Sequence, residues 1–302
     1  MKNTEGLPGI SVCITSLNRA RTLEKTLRTL LSQDYPAGLL EVLLRDDGSS
    51  DDTTGVMKSF AGEFAKKGFA GASVFSNEGP SNLIAARNFL AGKVSPSSSL
   101  MLVMDDDVYL EPDFMRRMAP YFSSLTGCAA LGPRVVFESA RERTAAAANF
   151  VSNFTGVYSE ADAAEPLDCD WLSSCCLLVD IAAWKKTGGL CESFQTCHEE
   201  PDFCLRAKKS GYRIVYYPLV TARHDVDVSM QRRSKLYYLY RNKMWVIRRN
   251  FPWPARLSAL LVPVFLGLPK YLLESLLHNR GVNAGELLEI LRGVRDGLTG
   301  RW

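Results

Sequence analysis

Residues 100–112 read LMLVMDDDVYLEP. Leu100 to Met104 have the pattern of a short apolar strand, which stops abruptly in three carboxylates, Asp105, Asp106 and Asp107. A helix is predicted to start at Glu111-Pro112, because proline suits the first helical turn. Three adjacent acids at a strand end repel one another and cannot all be buried unpaired. A positive partner belongs there, and a divalent cation taking oxygen ligands is the natural candidate. The plainer alternative is a solvated acidic turn.

The flanking sequence repeats the same theme. Residues 10–15 (ISVCIT), 41–45 (EVLLR) and 72–75 are short apolar runs, each followed by a segment with helical spacing such as Leu23, Leu27, Leu30 and Leu31. Strands alternating with helices at this pitch predict a mainly parallel α/β sheet, and such sheets bind ligands beyond the carboxyl ends of their strands. Three of the four strand ends carry polar clusters: Thr15 to Arg19, Asp46-Asp47 and Asp105 to Asp107. That coincidence predicts a nucleotide-type ligand. No glycine-rich phosphate loop follows the first strand, so a metal held by carboxylates is expected to manage the diphosphate.

Farther on, residues 128–137 form another predicted strand. Residues 138–166, polar and alanine-rich without a strong period, predict a long mobile loop of the kind that contacts substrate. Residues 171–179 return to the core. His198-Glu199-Glu200-Pro201-Asp202 opens a helix, where capping is the plainer role for each acid. Strands are expected at 213–217 and 220–224. His224, one of three histidines, ends the second of these as the α/β pattern gives out, which makes it a candidate site rim.

Composition is that of a globular protein, with a net charge of +3 that hides an asymmetry. Residues 226–302 hold 13 Lys/Arg against 5 Asp/Glu, while the first 225 are net acidic. A basic tail on an acidic body points to an anionic surface such as membrane lipid; no nucleic-acid reading module is visible. The polar start lacks the apolar core of a secretory signal, and the eight cysteines read as reduced cytosolic thiols packed as small hydrophobes, without paired zinc knuckles.

Together these stretches resemble the family 2 glycosyltransferases of the GT-A fold, in particular bacterial enzymes similar to rhamnosyltransferases. The matching segments are ITSLNR (14–19), LRDDGSSDDT (44–53), SNEGPSNLIAARN (76–88), VMDDDVYLEPDF (103–114), WLSSCCLLVDIAAWKKTGGL (171–190), HEEPDFCLRAKKSGYRIVYYP (198–218) and ARH (222–224), in family order. The resemblance implies a mixed, mainly parallel sheet flanked by helices, with a catalytic domain over 1–225 and a basic, amphipathic helical extension over 226–302. It implies inverting transfer from a UDP- or dTDP-sugar to a hydroxyl of a glycan or lipid-linked acceptor. Thr15, Arg19, Asp46, Asp47, Arg87, Asp105 and Asp106 would contact the donor, with Asn88 beside Arg87 in the same pocket segment. Asp107 and His224 would hold Mn²⁺ or Mg²⁺. The family's E-D-x-D stands here as Glu199-Glu200-x-Asp202, so the catalytic base is Glu200 or Glu199. A nucleotidyltransferase would need a glycine-rich basic loop after the first strand, which is missing; a degenerate scaffold would not need the acids, which are present.

Residues 234–251 place Leu236, Tyr240, Met244, Ile247 and Phe251 on one helical face, with Arg241, Lys243, Arg248 and Arg249 elsewhere. Two readings stand level. One is an interfacial anchor on the cytoplasmic face of the cell membrane; the other is a helix packed on the catalytic body or on a second subunit of a homodimer. The apolar stretch 257–277 is too interrupted to span a bilayer.

Overall fold

The computed structural model describes residues 6–79, 81–226, 235–262, 265, 269, 273 and 284–300. Strands β1 (Ile10–Ser16), β2 (Leu40–Asp46), β3 (Gly71–Ser76) and β4 (Leu100–Met104) run parallel in the order β4-β1-β2-β3. The inner strands β1, β2 and β4 are largely apolar because both faces of the sheet are covered there, whereas the edge strand β3 is only half-buried. Val12, Ile14, Val42, Leu44, Leu102 and Met104 face helices α1 (Ala20–Leu31), α2 (Thr53–Lys66) and α4 (Phe114–Ser124). The alternate residues Cys13, Leu43, Met101 and Val103 face α3 (Leu83–Ala91), α5 (Ile181–Thr187) and α6 (Glu199–Lys209).

Beyond β4 the sheet becomes mixed. β11 (Cys176–Asp180) lies antiparallel between β4 and β6 (Cys128–Phe137), and β12 (Arg213–His224) runs parallel to β6. The predicted strands 213–217 and 220–224 are thus one strand. It is interrupted by a register shift across Pro218, which has no N–H to give the ladder. The helix expected at Glu111-Pro112 starts later, at Phe114. Before it lies a strand that the sequence did not announce, β5 (Val108–Leu110), paired antiparallel with β12 so that His224 stands opposite Val108.

The long loop expected over 138–166 is corrected by the structure. It contains β7 (Ala140–Ala146), paired with β6, and a separate hairpin of β8 (Ala148–Val151) with β9 (Tyr158–Ala161). Alanine is a weak strand former, so pairing with β6 decides what local preference did not. A short strand β10 (Leu167–Asp168) completes the sheet against β12.

The basic helix is present as α7 (Leu236–Asn250), followed by α8 (Ala255–Val262) and α9 (Ala284–Thr299). Met244, Ile247 and Phe251 are buried as their spacing predicts, but so are Arg241, Asn242, Trp245 and Asn250. The helix therefore packs on the α/β body along two faces. α9 crosses it closely: a methyl group at Gly293 would stand 2.5 Å from the Tyr237 carbonyl oxygen, and one at Gly297 2.6 Å from Met244 Cβ. Among the described residues no helix is long and apolar enough to cross a membrane, and no cysteine joins a metal-ligating cluster.

Candidate active site

The carboxyl ends of β1, β2 and β4 open into a cleft of about 290 Å³. Thr15, Arg19, Asp47, Asp105, Asp106, Asp107 and His224 line it, together with Ser16, Leu17, Ser81, Leu83, Ala86 and Lys235. The loops after β1 and β2 brace each other. The Asn18 N–H donates to Ser49 Oγ (2.8 Å), the Ser50 N–H to Asn18 Oδ1 (2.7 Å), and Asp51 and Thr53 receive the first amides of α1. Asp47 accepts from the Ser81 N–H at 2.8 Å. Asp46 does not line the cleft; its carboxylate accepts from the Ser49 N–H (3.0 Å) and from Thr54 Oγ1, closing its own turn.

The three aspartates at the end of β4 have different surroundings. Asp106 is buried and accepts from Ser16 Oγ, with Arg19 Nε 3.3 Å away. Burial raises its pKa to about 7 against the opposing pull of Arg19 and Ser16. Asp107 Oδ2 takes Arg19 Nη2 at 2.6 Å, while His224 Nε2 lies 3.0 Å from Oδ1. Oδ1 is buried and makes this ion-pair contact, but it accepts no aligned hydrogen bond. The imidazole arrives through the β5–β12 pairing, which also ties the Asp225 N–H to the Asp107 carbonyl at 2.9 Å. Asp105, Asp107 and His224 offer ligand atoms all within 4.8 Å of one another. Burial would lower the His224 pKa; Cys175, Asp107 and Asp105 outweigh it and raise it to about 11. The cluster draws a positive charge to this spot. A carboxylate oxygen that accepts no hydrogen bond, beside an imidazole nitrogen, fits a divalent cation with further positions left for an oxygen-rich ligand.

Arg87 connects this cluster to the second one. Buried on α3, it gives Nη2 to Asp105 Oδ1 (2.6 Å) and Nη1 to both Ser174 Oγ (2.9 Å) and Glu199 Oε1 (3.0 Å). Its neighbour Asn88 turns away, donating to the Leu190 carbonyl at 2.8 Å. The Ser174 hydroxyl in turn donates to Glu200 Oε1 at 2.7 Å. Glu199 is buried with Oε2 unpartnered, and burial plus the adjacent Glu200 carboxylate push its pKa up in spite of Arg87. Glu200 is only half-buried, and both of its hydrogen bonds, from the Ser174 N–H and Oγ, fall on one oxygen. Ser174, the hub of this set, was inside the matched segment WLSSCC but carried no local signal that singled it out.

Asp202, one turn on, has a structural role. It is fully buried and accepts from Arg206 Nε, Arg249 Nε and Asn250 Nδ2, each at 2.9 Å, which joins α6 to α7. His198 precedes the helix in a left-handed conformation. Burial and Lys243 hold its pKa down to about 4, so the ring is neutral and gives Nε2–H to the Leu239 carbonyl at 3.1 Å.

The model of the family described as Glycosyl transferase family 2 matches residues 11–179, more than half of the chain. Among curated proteins, the chain is 29% identical over 143 residues to Glycosyltransferase AglE of Haloferax volcanii, an alignment covering 47% of this chain and 44% of that protein. The chain therefore spans less than half the length of the curated relatives it matches. Among solved structures, it is similar to mannosyltransferase PcManGT from Pyrobaculum calidifontis in complex with GDP-Man and Mn²⁺. The TM-score is 0.62 at 12% identity, covering 99% of this chain and 90% of that one. GalNAc-T7 with UDP, GalNAc and Mn²⁺ gives a TM-score of 0.61 at 17% identity, over 81% of this chain and 48% of the other. At such identities the likeness is one of fold, and that fold is the expected GT-A architecture.

Proposed function

Because the chain belongs to glycosyl transferase family 2, we propose that it moves a sugar, with inversion, from a UDP- or dTDP-sugar to a hydroxyl of a glycan or lipid-linked acceptor in cell-surface polysaccharide synthesis. The observation that carries this reading is the pairing of two acid clusters with unlike surroundings, joined through Arg87. One is built to attract a cation beside an open cleft; the other holds a half-buried carboxylate beside a buried one.

Asp107 and His224, with Asp105 beside them, would hold Mn²⁺ or Mg²⁺, which when bound supplies charge neutralisation for a departing nucleoside diphosphate. Thr15, Asp47, Asp105 and Asp106 take the nucleoside side, and Asp46 shapes that loop from behind. Arg19 offsets the aspartates, and Lys235 adds a second cation on the cleft wall. Glu200 is the base. It is the less buried of the pair and is oriented by Ser174, whereas Glu199 is committed to Arg87. Abstraction of the acceptor proton by a carboxylate fixed in this way typically contributes roughly 10²–10⁴-fold. In this assignment residues 1–225 form the catalytic unit and 226–302 the helical extension. The exposed apolar residues Trp253, Leu257, Leu261 and Phe154 are where it would rest on the inner face of the membrane.

A thermal-shift panel of nucleoside diphosphates tests the donor site. Stabilisation by UDP or dTDP that requires Mn²⁺ or Mg²⁺, together with donor turnover that falls in Glu200→Gln while donor binding survives, is the expected result. Full turnover in Glu200→Gln would remove that residue from the base position.

A further inference from the structure

The polar side chains of α7 converge on one short segment. Asn242, fully buried, points its amide nitrogen at the carbonyl oxygens of Phe194 (3.0 Å), Thr196 (2.5 Å) and Cys197 (2.9 Å). Arg241 Nη2 reaches the Ser193 and Phe194 carbonyls, both at 3.1 Å. Its Nε donates to Asn242 Oδ1 at 2.9 Å, which fixes the way that amide faces. The guanidinium is itself held, 4.1 Å from the centre of the Trp245 ring. Tyr238 Oη donates to Gln195 Oε1 at 2.8 Å, and His198 Nε2 meets the Leu239 carbonyl.

The segment they grip is unusual. Gln195, Cys197 and His198 have φ of +63°, +63° and +65°, a conformation that side chains other than glycine rarely adopt. Three such residues in four persist only where surrounding contacts over-determine them. The next two residues in the chain are Glu199 and Glu200.

We propose that Asn242, supported by Arg241, is a positioning residue for the base: it holds the turn through residues 194–198, with its positive φ at Gln195, Cys197 and His198, in the form that delivers Glu200 to Ser174. The basic helix is on this view part of the catalytic apparatus, acting through a backbone segment and touching no reacting atom. Its catalytic consequence rests on the sugar-transfer reading above; its conformational consequence does not.

The test uses the full chain and three variants, Asn242→Ala, Arg241→Lys and the double variant Asn242→Ala/Cys197→Gly. Asn242→Ala should lower kcat by about 10- to 100-fold, the effect of an ångström-scale misplacement, with donor KM within about twofold. Backbone amides of residues 196–200 should exchange hydrogen faster, while those of β4 keep their protection. Glycine at 197 adopts the left-handed form without steric cost, so the double variant should regain part of the lost kcat. Arg241→Lys should act in the same direction with a smaller effect, and it decides the matter if Asn242→Ala does not fold. Unchanged exchange at 196–200 would overturn the proposal, as would donor affinity falling in step with kcat or a double variant no better than Asn242→Ala. Should the wild type transfer no sugar, the exchange measurement still decides on the clamp, separately from the functional reading.

Discussion

Two buried aspartates, Asp107 at the cleft and Asp202 at the junction of α6 with α7, meet opposite fates. Asp202 accepts from three donors at 2.9 Å. Asp107 sits among two further acids; Arg19 takes one oxygen, and the other has the His224 ring close by but accepts no hydrogen bond. Burial alone does not separate them, since both are almost inaccessible. What separates them is the inventory of partners: the chain supplies every hydrogen bond that Asp202 accepts, whereas Asp107 keeps an oxygen without one, as the proposed cation site requires.

The widest break in that comparison should come from Asp107→Asn. Donor turnover should fall by about 100-fold or more through loss of charge stabilisation. The melting temperature should fall only slightly: asparagine keeps the shape, but the attraction of His224 and Arg19 that, against burial, holds the Asp107 carboxyl below its usual range is lost. A large fall in melting temperature with activity intact would put Asp107 in the structural class. Asp202→Ala should do the reverse, costing about 1–3 kcal/mol of unfolding free energy by removing the acceptor that Arg206, Arg249 and Asn250 share. Denaturant titration measures this, and a change below about 1 kcal/mol would mean that α6 and α7 are held by something else.

His198 sharpens the contrast through pH. Unfolded, it titrates at its ordinary 6.5; folded, it resists protonation until about pH 4. Between those values the unfolded chain binds the extra proton, so stability is full above pH 6.5 and declines as pH falls toward 4, by on the order of 3 kcal/mol. His198→Asn, which tolerates the left-handed backbone, should flatten the slope in that window; an unchanged slope would remove His198 from the account. The smallest effect is expected at Gly297→Ala, about 1–3 kcal/mol of overpacking where α9 crosses α7. A stability equal to wild type would show that the helices are not in contact there.

Much of the α/β body was legible in the sequence. β1, β2, β4 and β6 announced themselves because both faces are buried, which forces continuous apolar runs. The acids of the cleft were legible for a related reason: polar clusters at strand ends are where a parallel sheet keeps its ligand. β5 and the alanine-rich β7 were not, since their pairing comes from β12 and β6 and leaves little mark on local composition. The helical spacing put Arg241 off the apolar face of α7 and gave nothing that singled out Asn242. They are buried because the Phe194–Cys197 carbonyls need donors, a demand set forty-odd residues away. Ser174 was hidden likewise, one serine among several, distinguished only by what it touches.

The pairing of β5 with β12 has a consequence in time. His224 reaches Asp107 only when a strand more than a hundred residues downstream docks beside Val108. A nascent chain that has emerged through β11 already displays all three aspartates, yet lacks the imidazole that completes the set. On the proposed metal assignment, tight cation capture would be deferred until β12 has paired, and affinity for the ion would read out whether that strand has arrived.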